Sequence, residues 1–204
     1  MTANSKRLKI AITGGIASGK STVSRFIRKL GYNVFSADEI YTELLEDERF
    51  CLECSRILGI APIIRGKKAT FDRRAAADVL FSDSDKRKAF DLFAHAAVYK
   101  RIDEIFFSQS AALTFFEIPL LFESGRQADF DRVIVVIRDD KLRLESAVKR
   151  DGKGEDYIKK VMAAQFDYNN PIDTKHTILK NDGDMSALEK KVKSIVEYLE
   201  TTTG

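Results

Sequence analysis

One stretch of the chain, Gly14-Gly15-Ile16-Ala17-Ser18-Gly19-Lys20-Ser21-Thr22, fits the pattern G-x-x-x-x-G-K-[ST] and has the makings of a loop that cradles a polyphosphate. Glycines let the backbone curl until successive N–H groups point at one anion. A helix that opens straight after the loop adds its partial positive charge. Lys20 can bring a point charge to the β- and γ-phosphates, and the Ser21 hydroxyl can ligate Mg²⁺. The residues expected to hold the nucleotide are Gly15, Ile16, Ala17, Ser18, Gly19, Lys20, Ser21 and Thr22.

Such a loop works only between a strand and a helix, and both flanks agree. Leu8 to Thr13 reads as a short buried strand and Ser21 to Leu30 as an amphipathic helix. Gly31 ends that helix, Tyr32 to Ser36 reads as a second strand, and Asp38 is placed to cap the next helix, which carries Ile40, Leu44 and Leu45 on one face. From about residue 48 to 109 the pattern is helical with interruptions: Pro62 and Gly66 mark a loop, one helix runs from Asp72 to Leu80 and a longer one from Ser84 to Phe107. Leu113 to Ile118 is a buried strand stopped by Pro119. Arg132 to Ile137 is another, without the polar alternation of a half-exposed strand. Asp140 to Arg150 and Glu155 to Phe166 are helices separated by Asp151-Gly152-Lys153-Gly154. His176 to Leu179 is the last strand and Met185 to Leu199 the last helix. Strands alternating with helices predict an α/β, three-layer P-loop NTPase-type fold, a five-stranded parallel sheet with helices on both faces. The expected organisation of residues 1–204 is a single P-loop kinase domain. Its core is about 7–47 and 111–200, its inserted helical substrate lobe about 48–110, and its lid about 141–166, where basic residues surround the glycine break.

Composition narrows the function classes. With 44% hydrophobic and 32% charged residues the chain is of ordinary globular type, and a net charge of +3 is too slight to argue for nucleic acid. No apolar run reaches membrane-spanning length, and Met1 to Arg7 lacks a signal-peptide core, so a cytoplasmic location without a membrane partner is expected. Cys51 and Cys54 form a lone C-x-x-C with neither histidine nearby. They are read as reduced cysteines about one helical turn apart rather than as a zinc or redox site. A GTPase base-reading motif of the N-K-x-D type is absent and the chain is small for a motor core; with the helical stretch after the second strand and the basic pair around the glycine break, this points toward a small-molecule kinase rather than a GTPase, a motor ATPase or a regulatory module.

Later motifs, in order and spacing behind the loop, resemble those of the dephospho-CoA kinase family: Ser36-Ala37-Asp38, Phe71-Asp72-Arg73-Arg74, His95, Ile118-Pro119-Leu120-Leu121-Phe122-Glu123, Lys149-Arg150-Asp151, Ala163-Ala164-Gln165 and Asn181-Asp182-Gly183. The similarity runs from about Lys9 to Tyr198. It implies transfer of the γ-phosphoryl of ATP, with Mg²⁺, to the ribose 3′-hydroxyl of dephospho-CoA, a small-molecule acceptor. Lys20, Asp38 and Arg150 are then catalytic: Lys20 on the transferring phosphate, Asp38 on the attacking hydroxyl or the metal, Arg150 bridging β- and γ-phosphates. Asp38, Arg73, Arg74, His95, Pro119, Leu120 and Leu121 belong to the acceptor site, Asn181 to the adenine, Ser21 to the metal, and Glu117 to a metal-bound water.

Plainer readings stand beside these: an N-cap carboxylate for Asp38, a helix-surface pair for Arg73 and Arg74, a buried histidine at His95, core filling for Pro119 to Leu121, and a turn at Asn181. Four positions depart from the family pattern. Ala17 stands where glycine is usual, which a negative φ would accommodate. Ser36 replaces an aspartate, Ala96 a proline, and Ser146 an arginine for which Arg143, Lys149 or Lys153 must compensate, or turnover is reduced. The rival readings are another P-loop small-molecule or nucleoside kinase, and a nucleotide-binding module that has lost transfer activity.

Overall fold

Leu8–Thr13 (β1) is buried along its whole length, as a strand covered by helices on both faces must be. It is the central strand of its sheet in a computed structural model of the chain, which describes residues 7–66, 68–168, 173 and 176–202. Two compact units are formed, Met1–Ser36 with Gln109–Gly204, and Ala37–Ser108.

The first unit contains β1, α1 (Lys20–Lys29), β2 (Val34–Ser36), β5 (Leu113–Glu117), β6 (Arg132–Ile137), α6 (Asp140–Asp151), α7 (Glu155–Ala163), β7 (Thr177–Lys180) and α8 (Met185–Thr201). Its five-stranded sheet has the order β2-β5-β1-β6-β7, and every neighbouring pair is parallel. Ile10 and Ile12 of β1 pack with Phe115, Ile134 and Val136 of its neighbours, under Val23, Phe26 and Ile27 of α1 and Leu188, Val192 and Val196 of α8. Side chains alternate between the faces of a strand, so Ala11, Phe116, Val133 and Val135 point the other way, and these too are buried. The strand order reverses on either side of β1. Ligands of open α/β sheets bind at the carboxyl ends of the strands around such a switch point.

The second unit comprises α2 (Ala37–Leu44), α3 (Glu48–Leu58), β3 (Ile63–Arg65), β4 (Lys68–Thr70), α4 (Arg73–Ser82) and α5 (Ser84–Ser108). Its core is Phe50, Cys54, Leu58, Ala76, Phe90 and Ala94, with Phe93 stacked on Phe50 and Phe71 on Phe90. Two expectations are corrected here. The stretch expected as a simple loop between helices contains an antiparallel pair, Ile63 opposite Thr70 and Arg65 opposite Lys68. Asp38 lies inside the first turn of α2 rather than capping it, since the helix already begins at Ala37. Cys51 and Cys54 are free and fully buried, and burial pushes the Cys54 thiol up to about 12. Among the described residues no cluster of metal-ligating side chains occurs, and no helix is long and apolar enough to cross a membrane.

Asp72 starts α4 by accepting the N–H groups of Arg74 and Ala75, both at 3.0 Å. Replacing it by Ala removes an N-cap and should lower stability by about 1 kcal/mol, whereas Asn should keep most of it; urea unfolding midpoints of the two variants check this.

Candidate active site

The loop that follows β1 is shaped by its own glycines and by side chains from elsewhere in its unit. Gly19 precedes α1 at φ 104, and a Cβ there would collide with the Asn181 side-chain amide. A Cβ on Gly15 would collide with the guanidinium of Arg143. Ala17 has φ 54, so the negative φ that would accommodate alanine easily is not found: an alanine occupies the left-handed region, at a cost of roughly 1–2 kcal/mol. The loop's other contacts hold it in this shape.

Those contacts come from four directions. Lys20 folds back over the loop, its Nζ donating to the carbonyls of Gly14 at 2.7 Å and Gly15 at 3.0 Å. At the end of β5, Glu117 accepts from Ser21 Oγ at 2.9 Å and from Ser24 Oγ at 2.7 Å, so that each carboxylate oxygen has a hydroxyl partner. Asn181, which follows β7, donates its side-chain amide to the Ser18 carbonyl at 2.8 Å and its backbone N–H to Ile137. Gln165 accepts the Ile16 N–H at 2.7 Å.

Arg143, only 7% exposed, donates from Nε to the Ile16 carbonyl at 3.0 Å and from Nη1 to Asp140 at 2.7 Å. Arg138, the first residue past β6, reaches Ser146 Oγ at 3.0 Å and the Ala17 carbonyl at 3.4 Å through Nη1. A cavity of about 290 Å³ adjoins the loop, bordered by Gly15, Ser18, Arg138, Arg143, Lys180 and Asp182. The Asp139 N–H and the Lys180 ammonium hold the Asp182 carboxyl below the usual carboxylate range.

The sequence-predicted residues fall into three groups. Gly15 to Thr22 and Asn181 come together here, but the Asn181 amide N–H is engaged by the loop itself. Arg150 stands apart: it is exposed and makes a bidentate pair with Asp151, at 2.6 and 2.9 Å, which holds the Asp151 carboxyl below its usual range. Of the apolar residues after β5, Leu121 is fully buried and fills core, while Leu120 is 45% exposed. Asp38, Arg73, Arg74 and His95 belong to the Ala37–Ser108 unit, and all four are exposed. The buried-histidine reading of His95 is therefore set aside.

Arg138 escaped the sequence reading because nothing local marks it, and Gln165 was legible only as part of a motif. Among the proposed substitutes for an arginine at position 146, Arg143 does lie against the loop, while Lys149 is exposed.

The profile of the dephospho-CoA kinase family matches residues 8–187. The chain belongs to that family. A dephospho-CoA kinase of Chlorobaculum tepidum is 32% identical over 202 residues, covering 95% of this chain and 96% of the relative. Among solved structures, a Thermus thermophilus protein superposes with a TM-score of 0.79 at 30% identity, over 95% of this chain and 98% of that one. A dephospho-CoA kinase from Campylobacter jejuni gives 0.70 at 25% identity, over 94% and 96%. Membership places the chain among ATP-dependent phosphotransferases, the chemistry for which a phosphate loop with an adjacent lysine and a hydroxyl–carboxylate pair is suited.

Since Glu117 is the acceptor for both Ser21 and the fully buried Ser24, Glu117→Ala should destabilise the protein by about 1–3 kcal/mol, the cost of unpaired buried polar groups. Glu117→Gln, which keeps an acceptor of the same shape, should lose less; denaturant titration distinguishes them.

Proposed function

We propose that the chain transfers the γ-phosphoryl group of ATP to the ribose 3′-hydroxyl of dephospho-CoA, forming coenzyme A, in the cytoplasm and with no nucleic-acid or membrane partner. The observation that carries this reading is the loop of Gly14 to Ser21, with Lys20 folded over it, in a chain whose family match spans residues 8–187. The polyphosphate would lie along the loop N–H groups and the N-terminus of α1. Lys20 would leave the carbonyls of Gly14 and Gly15 for the phosphates, placing its charge where negative charge develops. Ser21 and Glu117 offer a hydroxyl and a carboxylate 2.9 Å apart, oxygen donors of the kind Mg²⁺ takes beside substrate phosphates. The metal, when bound, would offset the phosphate charge.

Asp38, two residues beyond β2, would accept the proton of the attacking hydroxyl. Arg73, Arg74 and His95 would meet the acceptor's charged groups, with Pro119 and Leu120 beside its apolar arm. We assign residues 48–110 to acceptor binding and 141–166 to a lid. Arg150 would serve the transferring phosphate only after exchanging Asp151 for it. Arg143, bonded to the Ile16 carbonyl, keeps the loop in shape. Dephospho-CoA should far exceed nucleosides and AMP as acceptor; equal rates with those would favour a nucleoside kinase, and ATP binding without any transfer would favour an inactive module.

Lys20→Ala and Asp38→Asn should each lower turnover by at least about a hundredfold, the scale of one lost electrostatic or acid–base group. Asp38→Asn should leave ATP affinity unchanged. Steady-state rates paired with calorimetric ATP binding test both, and near-normal turnover of Asp38→Asn would remove that residue from its role.

A further inference from the structure

Among the described residues, Arg138 is a half-buried cation without a counter-charge. Its Nη1 has a hydroxyl and a carbonyl for partners, Ser146 Oγ and Ala17 O, and its Nε is buried with no hydrogen-bond partner among the described residues. The carboxylates that border the same cavity are engaged elsewhere. Asp139 caps α6 through the N–H groups of Lys141 and Leu142, Asp140 pairs with Arg143, and Asp182 accepts from the Asp139 N–H and from Lys180. A guanidinium always carries its charge, and burying part of it with an unused donor costs stability unless something else supplies an acceptor. A second polar atom on the same cavity, Ser18 Oγ, is also buried with no hydrogen-bond partner among the described residues. With Tyr168 Oη, buried and without a hydrogen-bond partner among them as well, three unsatisfied groups border one space of about 290 Å³ next to the phosphate loop.

We propose that Arg138 is a nucleotide-contacting residue, donating to an electron-rich group that ATP brings into this cavity. This rests on the reading that ATP binds at the loop, and it is independent of which acceptor receives the phosphoryl group. Ser146 has a part in the arrangement: its short hydroxyl side chain anchors Nη1 and leaves the remaining donors of the guanidinium for the ligand. The charge that serves the nucleotide here thus starts from the turn after β6 and extends over α6.

Arg138→Gln and Arg138→Met, the second keeping an unbranched stem without any donor, test the proposal by calorimetric titration with ATP and with inorganic tripolyphosphate, no acceptor being present. Loss of a charge-assisted hydrogen bond should weaken ATP binding about ten- to hundredfold. The melting temperature of the nucleotide-free protein should stay the same or rise, because an unpaired charge has been removed. A parallel loss for tripolyphosphate assigns the contact to the phosphate chain, and a loss for ATP alone assigns it to the adenosine portion. Wild-type ATP affinity in both variants overturns the proposal, as does an affinity loss accompanied by an equal destabilisation of the nucleotide-free protein. Failure of dephospho-CoA as an acceptor would leave this titration unaffected, so the two readings fail separately.

Discussion

The site depends on one buried carboxylate. Glu117 ends β5, the strand beside β1, and both of its oxygens are taken by hydroxyls of α1, those of Ser21 and Ser24. A buried carboxylate is tolerated only when it is hydrogen-bonded. This arrangement therefore fixes the first turns of α1 to the sheet, while β1, paired on both sides, fixes the other end of the loop. The loop between them has little freedom left. Arg143 against Gly15 and Ile16, Asn181 on Ser18, and Gln165 on Ile16 complete its shape. A loop backbone held in shape in this way needs less reorganisation when charge develops on a transferring phosphate, although Lys20 still has to leave the carbonyls of Gly14 and Gly15.

Two of the departures from the family pattern, Ala17 and Ser146, have a structural setting in this scaffold. Ala17 is held in a conformation that glycine would adopt more cheaply, and the hydrogen bonds at Ile16 and Ser18 on either side of it maintain the loop nonetheless. Ser146 has no charge of its own but bonds to one, on Arg138. The residues proposed for the acceptor, Asp38, Arg73, Arg74 and His95, are presented on helix surfaces of a unit with its own aromatic core, built on Phe50, Phe71, Phe90 and Phe93.

What was legible in the sequence was local or periodic. The loop motif, its flanking strand and helix, the alternation that makes a parallel sheet, and the starts of α4 and α5 all follow from neighbours in the chain. The pair of short strands Ile63–Arg65 and Lys68–Thr70 was not legible: the first is exposed throughout, so no burial pattern betrays it, and Gly66 reads equally well as an ordinary loop. Positive φ at Ala17 runs against the residue's own preference and is imposed from outside. Arg138 finds its hydroxyl eight residues away on α6, and Gln165 finds the Ile16 N–H across 149 residues, contacts that exist only once the sheet is assembled. Which of the two readings holds at Leu121, buried, and at His95, exposed, was not legible, because apolar neighbours in sequence do not say which side of a turn or helix faces the core.

The most direct test is to follow the γ-phosphorus of ATP by ³¹P NMR in a mixture of the protein, Mg²⁺ and dephospho-CoA. The account predicts that the γ-resonance disappears as a ribose 3′-phosphomonoester appears in equal amount with ADP, and that neither change occurs without dephospho-CoA. ADP formed together with inorganic phosphate alone, at a rate indifferent to dephospho-CoA, would contradict it.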